Sequence, residues 1–225
     1  HPLASVDKPM DVFGGRWQDY MERIEENWRR SVSSEDYVLI PGDVSWATYV
    51  EQAYDDFAMI NRLPGRKIIS KGNHDYWWTT ISKLEKYIKE NAFDTISFLH
   101  NNCYKVEDMA VCGARGWKCP GDDDFSAEDQ KLYSRELQRL ELSLKCAVKT
   151  DLAITVMLHY PPFSKNLGES GFTEMMQEYN VRKCVYGHLH GQYFKNAYTG
   201  LLKGVEYHLV AADHLQFMPK NISLY

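Results

Sequence analysis
Asp43, Asn73, His74, Asp75, His159, His188 and His190 carry side chains that bind divalent cations or move protons, and each closely follows a short apolar run. Asp43 follows "VLIPG", Asn73–Asp75 follow "IISKG", His159 follows "ITVML", and His188 and His190 close "VYGHLH". Taken singly, each block has an ordinary reading: an Asx turn, a polar turn, a capped core histidine, a half-buried strand pair. Together they assemble carboxylate, amide oxygen and imidazole donors, a set suited to manganese, iron, zinc or nickel. The same set suits neither an oxygen-only calcium cage nor a thiolate zinc site. In open α/β sheets, ligands bind outside the carboxyl ends of the strands. Four such ends are expected to bring these donors to one edge. Gly42, Gly72 and Gly187, each just before a donor, permit tight turns and close backbone approach.

The elements that must position these loops follow from periodicity. Trp17, Tyr20, Met21, Ile24 and Trp28 recur at helical spacing, which predicts an amphipathic helix over Arg16–Val32. "YVLIPGD" then reads as a buried strand and a turn. A helix is expected from about Ala47 to Leu63, stopped by Pro64 and Gly65. "KIISKGNHD" gives a second strand and Thr79–Asn91 a further helix, and this β-α-β-α rhythm implies parallel strands with helices on the sheet faces. Short strands are expected at Thr95–His100, Cys103–Val106 and Met109–Cys112. Ser126 and Asp129 form a capping box that opens a helix with Tyr133, Leu137, Leu140, Leu144 and Val148 on one face. "LAITVML" and "KCVY" read as strands on either side of a short helix at Phe172–Tyr179. The last forty residues carry short strands without a clear helix.

With 225 residues, 44% apolar and 25% charged, the chain can bury a sizeable core, and with no linker or repeat it reads as one domain over 1–225. A net charge of -5 with scattered Lys and Arg leaves no footprint for a nucleic-acid backbone, so nucleic acid is not an expected partner. No window approaches the roughly 18 apolar residues of a membrane span, and the opening residues lack the layout of a signal peptide. Cys103, Cys112, Cys119, Cys146 and Cys184 make no CxxC pair and no even-numbered framework. Reduced thiols in a cytoplasm are expected.

The blocks "GDVSW", "GNHD", "HYPP" and "GHLH", in this order, resemble the signature of the calcineurin-like metallophosphoesterase superfamily from the first residue to about Gly191. The resemblance implies a four-layer α/β/β/α sandwich of two mixed sheets flanked by helices, with the active site at the strand carboxyl ends. It also implies a pair of divalent cations as cofactors. Asp43 would bridge them, Asn73, His159 and His188 would complete one site, and His190 would belong to the other. That second site would also take the Asp and His of an N-terminal D-x-H block. The chain opens at His1, in the position of that histidine, so the Asp and the strand before it are expected upstream of this sequence.

Two cations about 3.5–4 Å apart can clamp the oxygens of an in-line displacement at phosphorus and acidify a bridging water, the expected nucleophile. His74, next to ligand Asn73, is expected to stabilise phosphoryl charge or protonate the leaving oxygen. Asp75 is expected to orient the His74 imidazole. Trp46, Tyr76, Trp77 and Trp78 adjoin these loops, either as core or as a wall for a planar substrate group. Arg115 and Lys165 read either as phosphate-binding or as solvated surface charge. "GNHD" with "GHLH" resembles the small-substrate branch rather than the protein phosphatases, which show "GNHE" and "GDxxDRG". Hydrolysis of a small phosphomonoester or phosphodiester, nucleotides included, is therefore expected. A protein serine/threonine phosphatase and a non-catalytic scaffold are the alternatives.

Overall fold
The structure, a computed structural model, describes residues 15–223, apart from the Lys165 side chain. It is an α/β protein with two sheets flanked by helices. The chain gathers into two compact units. Among the described residues, one holds residues 15–98 together with Ala212–Asn221, and the other holds Leu99–Ala211 with residues 222–223.

In the first unit, β1 (Tyr37–Ile40), β2 (Arg66–Ile69) and β3 (Ile96–Phe98) lie side by side in that order, both pairs parallel. Parallel neighbours need long crossovers, and α2 (Tyr54–Arg62) and α3 (Ile81–Glu90) supply them. Phe57, Ile60, Ile69, Trp77, Leu84, Phe93, Ile96 and Phe98 form the core beneath the loops that carry Asp43 and Asn73. The amphipathic α1 (Tyr20–Ser31) starts later than its pattern predicts, because Asp19 takes a left-handed conformation (φ 51°) and breaks it from the Gly15–Trp17 turn. The stretch from Ala47 is also not continuous helix: Gln52 Oε1 accepts from the Thr48 and Tyr49 amides, which makes a turn before α2. Lys67, fully buried on β2, donates from Nζ to the carbonyls of Leu63 (2.6 Å), Gly65 (2.8 Å) and Asn61 (3.4 Å). It thereby satisfies carbonyls that the end of α2 leaves open.

The second unit carries a mixed sheet in the order β4-β5-β6-β7-β9-β8. The central strands β5 (Met109–Ala114), β6 (Ala153–Leu158), β7 (Lys183–Tyr186) and β9 (Val205–Leu209) are parallel, while β4 (Cys103–Val106) and β8 (Gly200–Leu202) are antiparallel edges. The first sheet, by contrast, is parallel throughout its described strands. α4 (Ala127–Val148) opens on the expected box: Ser126 Oγ accepts from the Asp129 amide, and Asp129 Oδ2 accepts from the Ser126 amide. Its buried face holds Tyr133, Leu140, Leu144 and Ala147 but also Glu136 and Ser143, and Val148 points outward. α5 (Gly171–Glu178) packs against it.

Cys103 on β4 and Cys146 on α4 are joined in a disulfide, while Cys112, Cys119 and Cys184 are free and buried. This corrects the expectation of reduced thiols. Pairing needs only two cysteines in reach across packed elements, which spacing along the chain does not reveal. The cytoplasmic assignment argued from those thiols loses its support. Among the described residues, no helix is long and apolar enough to cross a membrane.

Candidate active site
In the first unit, two turns lie backbone against backbone. A Cβ added to Gly42 (φ 84°) would fall 2.2 Å from the Gly72 nitrogen, and one on Gly72 would fall 2.0 Å from Asp43 Oδ1. Only glycine fits at either place. Asp43 itself is left-handed (φ 56°), and its Oδ1 accepts from the His74 amide at 2.9 Å. Asn73 therefore lies between two residues that both touch Asp43, so carboxylate and amide donors are held at one point of this unit.

Asp75 organises that contact. Its carboxylate, 1% exposed, accepts five N–H groups. Oδ2 takes the amides of Gly72 (2.7 Å) and Asp43 (2.8 Å). Oδ1 takes those of Val44 (2.8 Å) and Ser45 (3.3 Å), and the Trp77 indole at 3.0 Å. Burial and the Asp43 carboxylate nearby push the Asp75 pKa up, while the Gly72 and Asp43 amides pull against that shift. The expected role of Asp75 as orienter of His74 is thus corrected: its oxygens are filled by the two turns. His74 has other neighbours. Its ring stacks on Trp46 (centroids 4.9 Å, 12° between planes), and Nδ1 lies 3.3 Å from the Tyr76 hydroxyl. Trp77, expected as a substrate contact, is buried and packs edge-on against Phe57, so it belongs to the core.

In the second unit, His159 follows β6 and is 2% exposed. His188 follows β7 and Gly187 in a left-handed conformation (φ 69°). Few non-glycine residues take this conformation, though histidine does so more readily than most. The amide of Gly187 donates to the His159 carbonyl, which ties the two turns together. His159 Nε2 and His188 Nδ1 lie 3.2 Å apart. Two nitrogens about 2.0–2.1 Å from one cation, at tetrahedral to octahedral angles, stand roughly 2.8–3.4 Å apart, so a pair that can share a hydrogen bond without a metal also has the spacing for a shared ion. His190 is half-buried and opens the short 3₁₀ turn Gly191–Asn196. Tyr160, to which residue types alone assign no role, packs against the His188 ring (centroids 4.2 Å, planes tilted by 34°).

Arg115 is neither surface charge nor a free phosphate ligand. Its guanidinium pairs with buried Glu136 (3.3 Å) and lies over the Trp117 indole (4.4 Å). Glu136 was legible as a carboxylate one helical turn from Tyr133 and Leu140 on an apolar face, a placement that demands a buried partner. The Lys165 side chain and His1 lie outside the described residues. Among the described residues, no three His, Cys, Asp or Glu side chains close a ready-made cage. The donors come instead as Asp43 with Asn73, and His159 with His188, and by type they fit divalent transition metals.

The chain belongs to the calcineurin-like phosphoesterase family, whose sequence profile matches residues 11–192. Purple acid phosphatase 22 of Arabidopsis thaliana is 29% identical over 187 residues, 75% of this chain and 42% of that protein. The chain thus spans under half the length of this curated relative. A solved crystal structure superposes with a TM-score of 0.54 at 13% identity, covering 85% of each chain, which is a likeness of fold.

Proposed function
We propose that this protein is a metal-dependent phosphohydrolase that cleaves a phosphomonoester or phosphodiester of a small substrate, nucleotides among them, with two divalent cations. Asp43, Asn73, His159, His188 and His190 are the proposed ligands, with manganese, iron, zinc or nickel as the candidate ions. The observation that carries this reading is the approach of His159 Nε2 to His188 Nδ1, in an arrangement that puts a histidine in a left-handed turn. Likeness to a purple acid phosphatase favours the monoester. Bound cations would supply positive charge that polarises the phosphoryl group and acidifies water.

The chain's own residues then divide the remaining work. Asp43 presents a carboxylate whose Oδ1 is oriented by the His74 amide. His74, between Trp46 and Tyr76, has Nδ1 turned to the hydroxyl. Nε2 is thus the proposed atom to hand a proton to the leaving oxygen. Protein incubated with Mn²⁺ should hydrolyse p-nitrophenyl phosphate faster than its bis ester, and a chelator should abolish turnover. His74→Ala should lower kcat about 10²–10⁴-fold, the usual worth of a general acid, and leave bound metal at the wild-type level. His188→Ala should lose metal. Absence of both turnover and bound metal in the wild-type protein would leave only a scaffold role.

A further inference from the structure
Arg115 is half-buried, charged and unused by the reaction outlined above, and its bonding is unusual. Glu136, 1% exposed on α4, accepts from the Arg115 amide through Oε2 (3.2 Å) and from its Nη2 through Oε1 (3.3 Å). Arg139 also donates to Oε1. The Nε of Arg115 is buried with no acceptor among the described residues. Buried ion pairs are weak sources of stability, because desolvation offsets their attraction, and an orphaned donor adds a further cost. Stability alone does not explain this arrangement.

What Arg115 touches supplies a reason. Its carbonyl accepts from both the His159 amide (3.0 Å) and the Tyr160 amide (2.9 Å), so it fixes the turn that follows β6. Its guanidinium stacks on Trp117, Trp117 lies 5.0 Å from Tyr160, and Tyr160 covers the His188 ring at 4.2 Å. Gly116 (φ 74°) lets the connecting backbone close on Tyr160, where an added Cβ would stand 3.3 Å from the Tyr160 Cβ. One route from Arg115 runs through the backbone to His159, and the other through two aromatic rings to His188. Both end on the two nitrogens that stand 3.2 Å apart.

The geometry points to Arg115, clamped by Glu136, as a positioning residue that sets the His159–His188 pair for a shared cation through the Trp117–Tyr160 ladder. The purpose of this positioning rests on the phosphohydrolase reading; the positioning itself does not. Groups that orient a metal's ligands typically change affinity 10–100-fold when removed.

The test compares Arg115→Met, Trp117→Leu and Trp117→Phe in the full chain. One readout is the Mn²⁺ dissociation constant by calorimetry. The other is the imidazole ¹⁵N–¹H NMR spectrum of His159 and His188 in the metal-free protein. Arg115→Met and Trp117→Leu should bind Mn²⁺ about 10–100-fold more weakly, and their ring signals should broaden or split. Trp117→Phe, which keeps an aromatic face, should restore both. Folded Arg115→Met and Trp117→Leu proteins with wild-type affinity and wild-type ring signals would overturn the inference. If Arg115→Met does not fold, Trp117→Leu, at a partly exposed position, decides alone. A wild-type protein that binds none of Mn²⁺, Fe²⁺, Zn²⁺ and Ni²⁺ would overturn the phosphohydrolase reading, and the ring signals would still decide the positioning.

Discussion

Asp75→Asn separates two accounts of the residue after His74. If Asp75 served mainly to orient an imidazole, an amide would lower turnover and leave folding stability nearly unchanged. Its bonding argues otherwise. Both oxygens of the buried carboxylate are filled, one by two amides and the other by two amides and an indole N–H. Asparagine keeps a single oxygen. In its better orientation the new NH₂ group faces the Gly72 and Asp43 amides, donor against donor.

Hydrogen bonds to a charged group contribute about 1.5–3 kcal/mol each, so two lost bonds cost roughly 3–6 kcal/mol. Removing a buried charge beside Asp43 offsets part of this, since burial and that neighbour already disfavour the ionised form. A net loss of at least about 2 kcal/mol remains, against a total of about 5–15 kcal/mol for an ordinary domain. The thermal midpoint should fall by roughly 4–8 °C. The assay is urea and thermal unfolding in excess chelator, so that metal binding does not mask the change. A variant within about 0.5 kcal/mol of wild type, the range of neutral surface changes, would refute the reasoning and return Asp75 to His74.

Gly72→Ala should cost both stability and activity, since its methyl would sit 2.0 Å from Asp43 Oδ1, whereas Gly15→Ala, with open space around it, should change neither by unfolding or turnover assays. Lys67 gives a pH signature: burial lowers its pKa from 10.5 to about 8. The unfolded chain then binds more protons than the folded one between those values, so this group's contribution to stability is flat below about pH 8 and rises towards pH 10.5. The stability of wild type relative to Lys67→Met should therefore rise by up to roughly 3 kcal/mol from pH 7 to pH 10.5. A fall of wild type relative to Lys67→Met in urea unfolding over that range would mean that the carbonyls around Nζ outweigh its desolvation.

The strands were legible because parallel, doubly covered strands read as short apolar runs bounded by glycine and polar turns, and β1, β2, β6 and β7 all do so. The donors were legible because each stands within a few residues of such a run. Helix starts were less so. The backbone at Asp19 and the Gln52 side chain each diverted a first turn by local bonding that helical periodicity does not register. The disulfide was hidden for a related reason: Cys103 and Cys146 meet only because α4 packs on β4 and β5.

Asp75, Trp77 and Arg115 show where reading by residue type and proximity along the chain fails. Asp75 and Trp77 stand within four residues of Asn73 in sequence, while Arg115 sits in the separate GARGW turn. A buried polar group must first find hydrogen-bonding partners, and the partners in reach of Asp75 are the N–H groups that two tight turns leave open. Once those are satisfied, no lone pair of Asp75 is left to face His74. Trp77 spends its indole N–H on Asp75 and on the Ser45 carbonyl, which carries its ring into the core. Arg115 meets Glu136 because α4 presents a carboxylate on its apolar face, and that pairing withdraws the guanidinium from solvent. The residues left for the proposed chemistry are those whose polar atoms the turns do not use up. His74, half-buried between a stacked indole and an exposed phenol, is the clearest of them.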